Sequence, residues 1–146
     1  MATTYLLDTG PLGLLAHDRP ARRIPIQAWI VQEISAGATV YISEVADYEV
    51  RRELTRLTRS GQLPASRLGR LDQLASLCTY LAVSTAMWRR AADYWADARL
   101  QGMPTAGGAA LDADVLVAAQ ASEVSATVVT NNPIHIGRWV PVRVWT

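Results

Sequence analysis

Acidic side chains stand beside short apolar runs at three separate places in this chain: Asp8, Glu49, and the pair Asp112 and Asp114. A fourth polar site, residues 130–132, closes another apolar run. In an open α/β sheet, ligands bind beyond the carboxyl ends of the strands. Carboxylates gathered there repel one another unless a hard cation such as Mg²⁺ or Mn²⁺ lies between them. The spacing therefore predicts a metal-dependent phosphodiesterase.

Two of these acidic sites also have an ordinary structural interpretation. Asp8 precedes Thr9 and Gly10, and Asp often starts a turn by bonding its own backbone. Asp112 would be the N-cap of the next helix and Asp114 its second residue, where the helix macrodipole favours acidic side chains. Because residues two apart do not share a helix face, we expect Asp114 to ligate the metal, directly or through water. Asp112 would act as a cap or as a second contributor.

The segment around Glu49 also leaves two roles open. Arg52 and Arg56 are within helical reach of Glu49, so a salt bridge is one alternative to a place in the site. Glu53 has Arg56 one turn further along, and we expect a surface ion pair between them.

The polar residues before Pro133 have two interpretations. Thr130, Asn131 and Asn132 form a turn in the simpler one, because Asn tolerates left-handed backbone conformations. In the other, the two Asn residues offer amide oxygens or bond a metal-bound water. Neither Asn carries charge, which weakens any second metal site.

Composition narrows the class of protein. The 146 residues fit a single domain, and half of them are hydrophobic, which predicts a conventional core. The single Cys78 excludes an intrachain disulfide, and His17 and His135 are too isolated for a zinc site, so we expect surface or packing roles for both. No apolar run approaches the ~20 residues that span a bilayer, and the N-terminus does not resemble a signal peptide. We therefore expect a cytoplasmic protein without membrane contact.

The charge of the chain gives a weaker indication. The net charge is only +1, which does not by itself indicate a nucleic-acid-binding protein. All 14 basic residues are Arg, and Arg both pairs with phosphate bidentately and stacks on bases. A genome whose base composition favours Arg codons is the alternative explanation. Because the chain contains no Lys, a receiver-like signalling domain, which usually needs one near its last strands, is disfavoured.

Apolar runs alternate with helical patterns, which predicts βαβ units and a mainly parallel sheet. We expect strands 4–8, 39–42 and 126–129 to be parallel neighbours, since parallel strands need helical crossovers. The remaining predicted elements are strands 78–83 and 141–145; helices 11–17, 24–36, 44–59, 64–77 and 85–101; a loop at 102–108; and a helix from Asp112.

The helix after the second strand has the clearest local signals. Ser43 is a good N-cap, and Gly61 follows the expected end near Arg59. Its apolar stripe recurs at the spacing of one helix face, at Ala46, Val50, Leu54 and Leu57. At 100° per residue, Glu49 falls beside this stripe and is able to reach along the sheet edge.

In this order, the motifs resemble the PIN-domain ribonuclease family over essentially the whole chain. The four matching segments are Tyr5-Leu6-Leu7-Asp8-Thr9, Ile42-Ser43-Glu44-Val45-Ala46-Asp47-Tyr48-Glu49, Asp114-Val115-Leu116-Val117-Ala118-Ala119 and Thr130-Asn131-Asn132. Each motif is weak alone, and the four in order are moderately specific. The chain departs from the family in having Asn132 where Asp is common.

The resemblance implies a three-layer α/β/α sandwich with a central, mainly parallel sheet and a Mg²⁺- or Mn²⁺-dependent single-strand endoribonuclease site. It assigns Asp8, Glu49, Asp114 and Asn132 as the catalytic quartet. Metal ligands would be Asp8, Asp114 and Glu49, with Asp112 as a further contributor, and auxiliary residues would be Thr9, Ser43, Thr130 and Asn131. Many relatives are VapC-type toxins, which pair with an antitoxin and often dimerise. A PIN-like domain that binds RNA or protein but has lost cleavage is the alternative.

Overall fold

The sheet of this computed structural model is fully parallel. The structure describes residues 2–102 and 108–145, without the side chains of 108–110. Within those residues the strands are β1 (Thr4–Leu7), β2 (Thr39–Ser43), β3 (Thr79–Leu81), β4 (Thr127–Val129) and β5 (Val142–Arg143). Their spatial order is β3-β2-β1-β4-β5, and every neighbouring pair is parallel. The predicted adjacency of the first, second and fourth strands is thus confirmed.

Helices connect the strands. They are α1 (Thr9–Leu15), α2 (Pro20–Ser35), α3 (Glu44–Arg59), α4 (Ser66–Gln73), α5 (Thr85–Leu100), α6 (Gly108–Glu123) and α7 (Pro133–Ile136), and a 3₁₀ turn (Leu74–Ser76) follows α4. None of the helices in the described ranges is long and apolar enough to cross a membrane.

Strand alternation divides the core into two layers around the sheet. Successive side chains of a strand point to opposite faces. Tyr5 and Leu7 therefore pack with the buried residues of α1 to α4, whereas Leu6 packs with Val117 and Ala118 of α6. The buried residues of α5 extend this second layer. The three-layer α/β/α architecture that the resemblance implies is confirmed.

Several predicted boundaries were wrong. Helix α2 begins at Pro20 rather than Ile24, because Pro is well tolerated in the first turn of a helix. Helix α6 begins at Gly108 rather than Asp112, so Asp112 is not its N-cap. The loop predicted for 102–108 falls largely on residues 103–107, which lie outside the described residues. The short helix α7 was not predicted.

The strand order explains which residues can meet. The chain moves from β1 to β2 and β3 on one side, and then crosses to β4 and β5 on the other. The connections leave β1 and β4 in opposite directions, which opens a crevice at their carboxyl ends. Asp8 directly follows β1, and Thr130 directly follows β4.

Candidate active site

Asp8 lies where β1 passes into α1. Its backbone amide donates to the Val129 carbonyl (3.0 Å), which continues the pairing of β1 with β4. Asp8 occupies the N-cap position of α1 in an extended conformation, but its side chain makes no capping bond. The Thr130 hydroxyl instead donates to Asp8 Oδ2 (2.9 Å). Burial raises the pKa of Asp8, while the Thr9 backbone and the Thr130 hydroxyl oppose that rise.

Glu49 reaches the same edge from α3. The Ser43 hydroxyl caps this helix by accepting from the Ala46 amide (3.2 Å), as the sequence predicts. The Thr9 hydroxyl donates to Glu49 Oε1 (2.9 Å), so Glu49 is held next to the residue that follows Asp8. Arg52 Nη2 lies 3.8 Å from Glu49 Oε2, a longer contact. The salt bridge and the place at the sheet edge, considered as alternatives from the sequence, are therefore both present.

Asp114 completes a set of three interacting carboxylates. Because α6 begins at Gly108, Asp114 lies inside the helix, beyond the first turn where the macrodipole would explain it. The pKa of Asp114 is raised to about 6, first by burial and then by the negative charges of Asp8 and Glu49. His135 and Arg138 act in the opposite direction. Asp114, Asp8 and Glu49 thus share one electrostatic environment.

Asp112 lies on a different face of α6 from Asp114. Two residues turn a helix by about 200°, so Asp112 and Asp114 lie on different faces. Asp112 is exposed and lines a cleft that also contains Glu49 and Trp88. Its place is therefore beside the three-carboxylate group.

The polar residues after β4 have distinct positions. The hydroxyl of buried Thr130 also accepts a hydrogen bond from the backbone amide of Asn132 (3.0 Å). Asn132 is exposed at the N-terminus of α7 and makes no side-chain capping bond. Asn131 packs on Gly10, where an added Cβ would lie 2.6 Å from Asn131 Nδ2. Residues 130–132 therefore form a turn, and this turn lies next to Asp8.

Sequence reasoning missed Gln120. This residue of α6 is fully buried, accepts from the Ser43 hydroxyl (2.6 Å) and donates to the Leu81 carbonyl (2.7 Å). Gln120 therefore connects the helix of Asp114 to the cap of the helix that carries Glu49. A polar residue inside the apolar run 115–121 was the available signal, but its partner Ser43 lies 77 positions away.

His135 also lies nearer the site than the sequence suggested. We expected a surface or packing role, yet His135 lowers the pKa of Asp114. Its Nδ1 atom is buried and has no hydrogen-bond partner among the described residues. The fold therefore brings His135 into the surroundings of the carboxylates.

The acidic side chains of the described residues do not form a metal cage made only of protein. Within the described ranges, no three His, Cys, Asp or Glu side chains are close enough to enclose one ion. Asp114 nevertheless interacts with the charges of Asp8 and Glu49. These two findings agree if the carboxylates act over a distance that water fills, and Mg²⁺ typically keeps several waters.

The PIN domain family model matches residues 5–136. A search of curated proteins finds no match to the chain.

Solved structures match over nearly the whole chain. VapBC2 from Rickettsia felis, bound to a DNA fragment from its promoter, gives a TM-score of 0.72 at 17% identity and covers 97% of this chain and 98% of that chain. DNA-bound VapBC from Salmonella typhimurium gives 0.72 at 19% identity and covers 100% of both chains. VapC20 from Mycobacterium tuberculosis, described as a sarcin–ricin loop cleaving toxin, gives 0.61 at 15% identity and covers 95% and 98%. At these identities the likeness shows a shared fold.

Proposed function

This chain belongs to the PIN-domain family, and we propose that it is a divalent-metal-dependent endoribonuclease acting on single-stranded RNA. The observation that carries the proposal is the electrostatic interaction of Asp114 with both Asp8 and Glu49 at the carboxyl edge of the sheet. Burial raises the pKa values of Asp8 and Asp114, and the charges of Asp8 and Glu49 raise that of Asp114 further, so this group is unfavourable without a cation. Such an arrangement is typical of a functional site rather than a structural one.

In this proposal Asp8 and Asp114 hold one Mg²⁺ or Mn²⁺ ion, with Glu49 nearby and water completing its shell. The bound ion would supply Lewis-acid polarisation of the phosphodiester. Hydroxyl groups orient the acids: Thr130 donates to Asp8, and Thr9 donates to Glu49. These bonds fix one oxygen of each carboxylate without adding a positive charge.

Asn132 takes the fourth place of the quartet in the proposal. Its backbone amide donates to the Thr130 hydroxyl, which in turn donates to Asp8, so the start of α7 lies next to Asp8. As a neutral residue, Asn132 would orient a water rather than bind a cation strongly. The site would then hold one metal more readily than two.

We also propose that the protein is the toxin of a toxin–antitoxin pair and forms a homodimer. Support comes from the fold it shares with VapBC proteins. The surface of α2 adds a physical argument, because Ile24 and Val31 are exposed on this helix. Their spacing of seven residues puts them on one helix face, where an antitoxin segment would cover them.

Cleavage of a labelled single-stranded RNA in Mn²⁺ tests the catalytic proposal. Asp8→Asn and Asp114→Asn should each reduce the rate by about 100-fold or more, a loss typical of removing electrostatic stabilisation of a transition state. Asp97→Asn, an exposed carboxylate on α5, is the matched control and should cleave normally. If both site variants cut RNA at the wild-type rate, the assignment is wrong. If wild type binds RNA and Mn²⁺ without cutting, the protein is a PIN-like binding domain.

A further inference from the structure

A cleft opens beside the three carboxylates, between α3, α5 and α6. It has a volume of about 630 Å³. Its lining includes Glu49, one of the three carboxylates, together with Asp112, Tyr48, Arg52 and Trp88. The cleft is therefore continuous with the proposed active site.

Two aromatic side chains of this cleft are unusually exposed. Tyr48 is 61% exposed and Trp88 is 57% exposed. They approach the cleft from different helices, Tyr48 from α3 and Trp88 from α5. Large aromatic faces left in water beside a charged site are typical of a binding surface. A nucleic-acid base offers the flat apolar face that such side chains bind.

Arg52 provides the charge that the same ligand needs. Its guanidinium lies 5.1 Å from the centre of the Tyr48 ring, and 3.8 Å separate its Nη2 from Glu49 Oε2. The cation thus stands between an aromatic face and the acidic site.

Two neighbouring arginines of α3 make closer contacts with carboxylates than Arg52 does. Arg51 bonds Asp47 (2.9 Å) and Asp72 (2.7 Å). Arg56 makes two hydrogen bonds to Glu53, the ion pair expected from the sequence. Arg52, with its longer contact, is therefore the arginine of this helix segment best able to exchange its partner for phosphate.

We propose that this cleft binds an unpaired nucleotide of the RNA substrate, with the base on Trp88 and Tyr48 and the phosphate on Arg52. The inference rests on the proposed endoribonuclease function and adds the path of the strand. A phosphate of RNA suits Arg52 better than an apolar face of a second copy of the chain, because there Arg52 would be buried with only its 3.8 Å contact to Glu49. Arg59, exposed seven residues beyond Arg52, continues the basic face along α3.

Binding of a fluorescent single-stranded oligonucleotide, measured by anisotropy in EDTA, tests the subsite without cleavage. Trp88→Ala and Tyr48→Ala should each weaken binding by roughly 5- to 100-fold, the range for losing one base–aromatic stack. Trp88→Phe should recover much of the affinity. Arg52→Ala should lower the slope of log affinity against log salt by about 0.7, the share of one phosphate on a single strand.

Controls separate stacking from charge. An abasic oligonucleotide of equal length should bind wild type and Trp88→Ala alike, and should bind Arg52→Ala more weakly. Leu100→Ala, an exposed apolar residue at the end of α5, and Arg22→Ala, an exposed arginine on α2, should bind RNA like wild type.

Three outcomes would overturn the inference. If wild type binds and cleaves RNA but the Trp88, Tyr48 and Arg52 variants bind equally well, the subsite is wrong while the proposed function stands. If Trp88→Ala dissociates a dimer in sedimentation without changing RNA affinity, the cleft is a contact between copies of the chain. If wild type neither binds nor cleaves RNA, the proposed function fails, and the subsite fails with it.

Discussion

Replacing Asp114 by Asn should stabilise the metal-free protein at neutral pH. In the folded state the pKa of Asp114 is raised from its ordinary value of 3.8 to about 6. A raised pKa of an acid means that folding favours the neutral form. The free energy of unfolding therefore falls as the pH rises from about 4 to about 6, and it stays lower above that window. Asn is neutral at every pH and removes this loss.

The size of the effect follows from the same shift. A rise from 3.8 to about 6 corresponds to about 3 kcal/mol between the two protonation states. Because the Asp114 side chain is partly exposed, solvent screening reduces the usable part to about 1 kcal/mol. For a domain of this size, 1 kcal/mol shifts the melting temperature by about 3 °C. Asp114→Asn should show that gain at pH 7.5 in EDTA and none near pH 3.5.

Adding metal should reverse the order of the two proteins. A cation that binds only the folded wild type stabilises it by about 2.7 kcal/mol at one hundred times its dissociation constant. The Asn variant should gain much less, because it lacks one of the proposed ligands. Thermal unfolding with and without Mn²⁺, at both pH values, measures all four combinations. Asp97→Asn should follow wild type throughout. A metal-free Asp114→Asn that is less stable than wild type at pH 7.5 would refute the raised pKa of Asp114 in the folded protein.

Two further predictions concern residues around the acids. Asn132→Asp adds a negative charge two residues from Thr130, the hydrogen-bond partner of Asp8, and should tighten Mn²⁺ binding in calorimetric titration. Equal or weaker affinity would mean that residue 132 does not face the ion, and would favour Asn131 or Asp112 instead. Gln120→Leu leaves the Ser43 hydroxyl and the Leu81 carbonyl without their buried partner, and should lower the free energy of unfolding by about 2–4 kcal/mol. Urea unfolding measures this change in the free energy of unfolding, and Gln62→Leu, at an exposed position, is the control. A loss under about 0.5 kcal/mol would contradict the hydrogen bonds proposed to matter at Gln120.

Local signals explain what the sequence could predict. The strands β1, β2 and β4 are apolar runs bounded by polar residues, and the start and end of α3 follow from Ser43 and Gly61. Helix α7 spans only four residues, too few to show a helical period. The glycine-rich composition before Asp112 indicates a loop, and so it concealed the first turn of α6.

Long-range partners explain what the sequence could not predict. Thr9 meets Glu49 across 40 positions, and Thr130 meets Asp8 across 122. The sequence around Thr9 or Thr130 does not indicate which carboxylate the hydroxyl will bond. These pairs follow from the order of the strands, which places the ends of β1 and β4 side by side.

The carboxylates Asp8 and Glu49 keep their negative charge because hydroxyl groups, and not positively charged groups, donate hydrogen bonds to them. A guanidinium bonded to Asp8 or Glu49 would neutralise the carboxylate and compete with a divalent cation for its oxygens. The hydroxyls of Thr130 and Thr9 orient the same oxygens at 2.9 Å and leave the negative charge in place. Arg52, the cation of α3 that approaches Glu49, stands at 3.8 Å, beyond hydrogen-bond range. A fully salt-bridged edge would be more stable as folded protein, and it would bind Mg²⁺ or Mn²⁺ less well.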